Sequence, residues 1–308
     1  MAPERPKILT EGWGGGPRVR AARQTAAMPV RLANRSGRAV LLVGDGWVDV
    51  EKGSGGRLPA APMEAFRRWD DVREWGSGIT EAGEGPVDVT DLGPCVPRPA
   101  KVFGVALNYR THAEETGAEL PPAPSIFTKF PSCLAGPTAD VVLPSDFVDW
   151  EVELVVVIGR GGRGIAEAAA LDHVAGYCVG QDYSERVVQM MGARPQFSMG
   201  KSYDTFGPIG PAVVSLDAVA DPNDLGITCD VDGERVQDGR TSDLIFSVPE
   251  LVAYISTVCT LEPGDLVFTG TPSGVGAART PPRFLKPGEV VVGAVEGIGS
   301  ISNTAVRR

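Results

Sequence analysis

DWEVELVVVIG, residues 149–159, joins acidic residues at alternate positions to an unbroken apolar run. In a strand, residues i and i+2 face the same side, so Glu151 and Glu153 project together and Asp149 shares their face. The run that follows is apolar enough for both faces to be buried, which predicts an interior strand. Two carboxylates about 4 Å apart at an effective dielectric near 20 repel by roughly 4 kcal/mol. Such a pair must protonate, find cations or bind metal. The plainer alternative is an exposed strand end whose glutamates are merely solvated.

Working outward, short apolar strands are predicted at KVFGVAL, ADVVLP, AVVSL, ITCDVDG, DLVFTG and EVVVGAVEG, with helical segments near 165–170, 184–192 and 248–258. With 39 Gly and 26 Pro among 308 residues, this pattern gives a β-rich α+β fold class. Residues 98–308 form the main domain. Residues 28–97 form a small N-terminal unit: a β-meander over 28–60, a helical pattern over 61–80, and linker-like stretches at 83–85 and 95–101. Residues 1–27 carry a net charge of +3 and a GWGGGP stretch, and are expected to be a disordered tail. Their arginines also permit an organelle-targeting reading, and Met28 is a candidate initiator.

The net charge of -10 and the lack of a basic patch argue against nucleic acid. No run approaches the roughly 20 apolar residues of a membrane span, and no signal-peptide core is present. The five cysteines are widely spaced, which predicts reduced thiols in a cytoplasmic protein and no zinc site.

Further candidates follow from local chemistry. In GQDYSERVVQMM, Arg186 and Gln189 share one face of a helix that Asp182 or Ser184 would open; an N-cap with a local ion pair explains the same pattern. In LNYRTHAEETG, Thr111 and Glu114 fit a capping box and Gly117 a helix stop, placing Glu115 on the same side as His112. A carboxylate that orients a neutral imidazole makes a general base, although a lone His is more often incidental. His173, the only other histidine, reads as incidental. GTPSGVG at 270–276 offers free N–H groups and the Thr271 hydroxyl as a carboxylate nest, and Lys201 lies in a Gly/Pro-rich loop.

Taken in order, GVALNYRTHAEETG, DWEVELVVVIG, GQDYSERVVQ, GKSYDTFGPIGP, LEPGDLVFTGTPSGVG and GIGSISN resemble the fumarylacetoacetate hydrolase family over about residues 100–306. The resemblance implies a mixed β-sandwich roll of that family's C-terminal type, a homodimer, and a smaller N-terminal domain. It implies Glu151, Glu153 and Asp182 as metal ligands, His112 and Glu115 as a water-activating dyad, and Lys201 and Gln189 beside the reacting oxygens. Arg186 matches a site arginine and Thr271 a substrate-carboxylate contact. All-oxygen ligation independently points to a hard cation, Mg²⁺ first, then Mn²⁺ or Ca²⁺.

The expected reaction is hydrolysis of a C–C bond in a 2,4-dioxo acid of acylpyruvate or fumarylpyruvate type. Decarboxylation of a 2-oxo diacid and isomerisation of a 2-hydroxydienoate are the alternatives, with sugar-acid dehydration and a non-catalytic binding protein more remote. Gln181, Tyr183 and Glu185 depart from the family pattern around Asp182, so the pocket's shape or charge is expected to differ there.

Overall fold

The computed structural model describes residues 29–219 and 221–307; the expectations for residues 1–27 and for Met28 lie outside them. The strand Val152–Ile158 is buried along all seven residues because both of its faces are covered. Val152, Leu154, Val156 and Ile158 enter one core, whereas Val155 and Val157 enter a second. Val174–Gln181 pairs antiparallel with this strand, setting Gln181 opposite Val152 and Gly180 opposite Glu153. Leu266–Phe268 lies on its other side, antiparallel to it and parallel to Val102–Ala106.

These strands form the middle of an open, mixed ten-stranded sheet. A five-stranded sheet covers the first core, with Ile227, Cys229, Val291 and Ile301 packed among the even-numbered residues of Val152–Ile158. The result is the β-rich α+β fold expected. Among the described residues, no helix is long and apolar enough to cross a membrane. All five cysteines are free thiols.

The second core lies against the N-terminal residues. Arg31–Arg35, Arg38–Val43 and Gly46–Asp49 form the expected meander, and Arg31–Arg35 pairs antiparallel with Gly207–Ser215, so the meander extends the main sheet. The helical pattern of 61–80 breaks at Arg68 into Pro62–Arg67 and Trp69–Gly76. Phe66, Trp69 and Val72 pack with Val155 and Cys178. Cys95 and Val96, read as linker, are buried in this same core. The boundary proposed after residue 97 therefore separates segments that share one sheet and one core.

Of the expected helices, Val248–Val258 forms with a capping box between Ser247 and Glu250. The segment near 165–170 winds as a 3₁₀ run, Glu167–His173. The segment over 184–192 contracts to one turn, Arg186–Gln189, because Ser184 and Glu185 pair in a short strand with Val148 and Asp149.

Gly180 leaves the space that lets the sheet close beside Glu153. A Cβ there would stand 2.6 Å from Val155 Cγ2 and 2.8 Å from Phe268 Cε1. Gly180→Ala is expected to cost about 1–3 kcal/mol in urea unfolding through overpacking. Gly85→Ala, where a Cβ meets nothing within 4 Å, should stay within about 0.5 kcal/mol of wild type.

Candidate metal centre and active site

Where Val152–Ile158 and Val174–Gln181 separate, the ladder runs one step further: Asp182 N–H donates to the Glu151 carbonyl at 2.9 Å. Asp182 thus stands opposite Glu151, on the sheet face that Glu153 shares. Two glutamines hold the strand end open. Glu151 N–H donates to Gln181 Oε1 at 2.9 Å, and Val152 N–H donates to Gln237 Oε1 at 3.0 Å. One oxygen from each of Glu151, Glu153 and Asp182 lies within 4.8 Å of the others, and all three side chains are buried.

Three cations surround this cluster. Lys201 Nζ donates to Glu151 Oε2 at 2.8 Å, Asp182 Oδ2 at 2.7 Å and Ser184 Oγ at 2.8 Å. Lys129, fully buried, donates to Asp182 Oδ1 at 2.6 Å and to the Lys201 and Phe206 carbonyls. Arg186 spans Asp149 Oδ2 at 2.7 Å, Glu151 Oε1 at 2.7 Å and Gln189 Oε1 at 2.9 Å. Asp149, Glu151, Glu153 and Asp182 bring four carboxylates against these three cations, so one negative charge is unmatched.

The mismatch falls on Glu153. Burial, then the charges of Asp182 and Glu151, push its carboxyl well above the ordinary range. Burial acts in the same sense on Glu151, but Lys201 and Arg186 outweigh it and bring that carboxyl down to about 2. Burial opposes the charge on Lys201, yet Asp182 and Glu151 hold its pKa above the usual lysine value. A proton on Glu153 makes the cluster neutral. A divalent cation in place of that proton makes it +1, a charge suited to an anionic ligand. The all-oxygen donor set fits Mg²⁺ or Mn²⁺.

His112 lies on the helix Arg110–Thr116, which ends at Gly117 with φ 66° as expected. The capping box does not form. Tyr109 occupies the N-cap, and Thr111 instead donates from N–H and Oγ1 to Asp243 Oδ2 at 2.9 and 2.6 Å. His112 Nδ1 is 3.0 Å from Glu115 Oε2, and Glu115 Oε1 accepts Gly274 N–H at 2.8 Å. A carboxylate at Nδ1 assigns the proton there and leaves Nε2 as the basic nitrogen.

The glycine loop narrows one expectation, because the N–H groups of Gly270, Gly274 and Gly276 already serve carboxylates of the protein. Gly270 N–H serves Glu153 Oε2 at 2.7 Å and Gly274 N–H serves Glu115 at 2.8 Å. Gly276 and Ala277 N–H serve Asp149 at 2.7 and 2.9 Å. The glycines are still required: Gly274 has φ 104°, and a Cβ would lie 2.0 Å from the Val236 carbonyl. Thr271 Oγ1 donates to the Val152 carbonyl and accepts from Gln237 Nε2, each at 2.8 Å, so its hydroxyl is engaged by the protein in this arrangement. Asp149 likewise turns to the loop and Arg186 and stands outside the carboxylate triad.

The departures at Tyr183 and Glu185 point away from the cluster. Tyr183 donates to Asn303 at 3.3 Å, and Glu185 accepts Ser145 Oγ and Val188 N–H. His173 Nδ1 is 2.9 Å from the Arg160 carbonyl and takes no part. Lys129, Gln237 and the tethering role of Asp149 were not anticipated. The one local signal for Lys129 is a lone cation flanked by Phe127 and Phe130.

Residues 101–306 match the fumarylacetoacetate (FAA) hydrolase C-terminal family. Human mitochondrial oxaloacetate tautomerase FAHD2A is 48% identical over 221 residues, 71% of this chain and 70% of that protein. The crystal structure of an HpcE-like protein from Mycobacterium smegmatis superposes with a TM-score of 0.86 at 48% identity, covering 90% of this chain and 99% of that one. Maleylpyruvate hydrolase from Sphingobium sp. SYK-6, solved with manganese(II) and pyruvate, gives a TM-score of 0.73 at 29% identity, covering 90% and 99%.

The raised Glu153 carboxyl sets a pH dependence. Between the ordinary value of 4.5 and the raised one, the folded chain keeps a proton that the unfolded chain releases. Stability of the metal-free protein should therefore fall as pH rises through that window. Melting curves in a chelator should show this slope, and Mg²⁺ or Glu153→Gln should reduce it. A wild-type slope that neither change alters would contradict the assignment.

Proposed function

Because this chain belongs to the fumarylacetoacetate hydrolase family, whose members are enzymes, we propose that it is a Mg²⁺-dependent enzyme that moves a proton on a small 2-oxo diacid, interconverting keto and enol forms. C–C hydrolysis is the first expectation from the sequence motifs; the 48% identity to an oxaloacetate tautomerase shifts the preference. The observation that carries the reading is the buried Lys201 ammonium, held against Glu151 and Asp182 within a cluster that a divalent cation makes positive. Positive charge fixed where an enolate oxygen develops is commonly the largest catalytic contribution.

Glu151, Glu153 and Asp182 would hold the cation, which supplies Lewis-acid polarisation of the 2-oxo group when bound. Lys201 adds its charge at the developing enolate oxygen. His112 Nε2 takes the proton from the carbon next to the 2-oxo group and delivers it to the enolate oxygen, and the reverse transfer restores the keto form. Glu115, itself held by Gly274 N–H, keeps the ring oriented and stabilises its charged form. Arg186 fixes Glu151 and turns Gln189 so that its amide NH₂ can donate to the substrate. Thr271 donates to a substrate carboxylate only by giving up its O–H bond to the Val152 carbonyl.

C–C hydrolysis of an acylpyruvate-type acid is the second reading. It uses the same His112 Nε2 on water, and it is supported by the likeness to maleylpyruvate hydrolase. Decarboxylation of a 2-oxo diacid needs the same stabilised enolate. A homodimer belongs to the proposal, and the exposed Met190, Met191 and Met199 offer apolar surface for it. A cytoplasmic location also stays a proposal, since the human relative is mitochondrial.

With Mg²⁺ present, the enzyme should accelerate decay of the enol absorbance of oxaloacetate with no loss of carbon dioxide. His112→Ala should lower that rate by about 10²–10⁴-fold. Cleavage of acylpyruvates with no effect on oxaloacetate would establish the hydrolytic reading instead. Full activity in His112→Ala would remove the proposed base.

A further inference from the structure

Each member of the carboxylate triad has one oxygen already taken by a donor of the protein. Arg186 Nη1 holds Glu151 Oε1 at 2.7 Å, Gly270 N–H holds Glu153 Oε2 at 2.7 Å, and Lys129 Nζ holds Asp182 Oδ1 at 2.6 Å. The remaining oxygens behave differently. Glu151 Oε2 and Asp182 Oδ2 bond only to the Lys201 ammonium, and Glu153 Oε1 accepts no hydrogen bond among the described residues. Three oxygens thus carry no protein donor other than the Lys201 ammonium, whereas the second oxygen of each carboxylate could join a cation only in an orientation it shares with its internal donor.

We propose that Lys129 is a positioning residue that makes Asp182 a one-oxygen ligand and so biases the centre toward small octahedral cations and against Ca²⁺. Lys129 suits this role because it is fully buried and bonds only to Asp182 Oδ1 and two main-chain carbonyls, Lys201 O and Phe206 O. Those carbonyls anchor the ammonium from the far side, so Asp182 cannot rotate freely about its side chain. Mg²⁺ and Mn²⁺ accept three single carboxylate oxygens with water filling the other positions. Ca²⁺ favours more oxygens, often gained by two-oxygen carboxylate binding. Lys129 acts through Asp182 and touches no substrate. The inference rests on reading Glu151, Glu153 and Asp182 as the cation site.

The test is cation binding by calorimetry on the full chain, with Mg²⁺, Mn²⁺ and Ca²⁺ titrated separately into wild type and Lys129→Met. Removing a positive charge strengthens binding of every divalent cation, so the Ca²⁺ to Mg²⁺ affinity ratio is the readout. That ratio should rise about tenfold or more in Lys129→Met. An unchanged ratio, with binding retained, overturns the role of Lys129. Absence of binding to wild type, or binding that survives Asp182→Asn at full strength, overturns the site reading itself. A measurement on wild type alone covers a variant that fails to fold. Line broadening of bound Mn²⁺ in ¹⁷O-enriched water should count about three coordinated waters, as expected for six positions with three protein oxygens. A count of one or none would mean that carboxylates bind through both oxygens, and would overturn the proposal.

Discussion

Four buried carboxylates meet two buried lysines and a partly buried arginine at the open end of one strand pair, and the arrangement around them follows from that imbalance. Burying an unmatched charge is costly, so the site must hold a proton or a further cation. Asp149 is tied to one cation, and Glu151 and Asp182 to two each. Glu153 has only Gly270 N–H, and the excess falls on it. A divalent cation resolves the conflict and reverses the sign of the pocket. The proposed metal and an anionic ligand would both follow from this one arrangement.

The loop at 270–277 ties this centre to the proposed base. Its N–H groups reach Glu153, Glu115 and Asp149, so three carboxylates from separate parts of the chain are fixed by one backbone segment. Glu115 in turn fixes His112, and Asp149 fixes Arg186, which fixes Glu151. Loss of the Gly270 N–H donor would disturb Glu153, and loss of the Gly274 donor would disturb Glu115 and with it His112. The glycines are therefore structural in purpose, and their closeness to the reacting atoms follows from what they hold.

Much of this was legible locally. Alternation with period two put Glu151 and Glu153 on one face, and the apolar run after them marked an interior strand. The i, i+3 spacing of His112 and Glu115 was enough to pair them. What escaped was set by distant partners. Asp243, 132 residues from Thr111, supplies the acceptor that displaces the expected capping box. Lys129 looks like an isolated surface lysine until the fold brings it to Asp182, 53 residues away. The loop N–H groups look available until Glu153, Glu115 and Asp149 arrive from 117, 159 and 127 residues away. Glu234–Arg240 went unrecognised as a strand because its inward position Gln237 is polar, serving Val152 and Thr271 and not the core.

The unmatched carboxylate charge is the proposed seat of a divalent cation. Anomalous scattering from a crystal soaked in Mn²⁺ tests it most directly. One strong peak is expected among Glu151, Glu153 and Asp182, with Lys201 Nζ withdrawn from at least one of the two oxygens it now bridges. A peak elsewhere, or no peak with Lys201 still bridging Glu151 and Asp182, would contradict it.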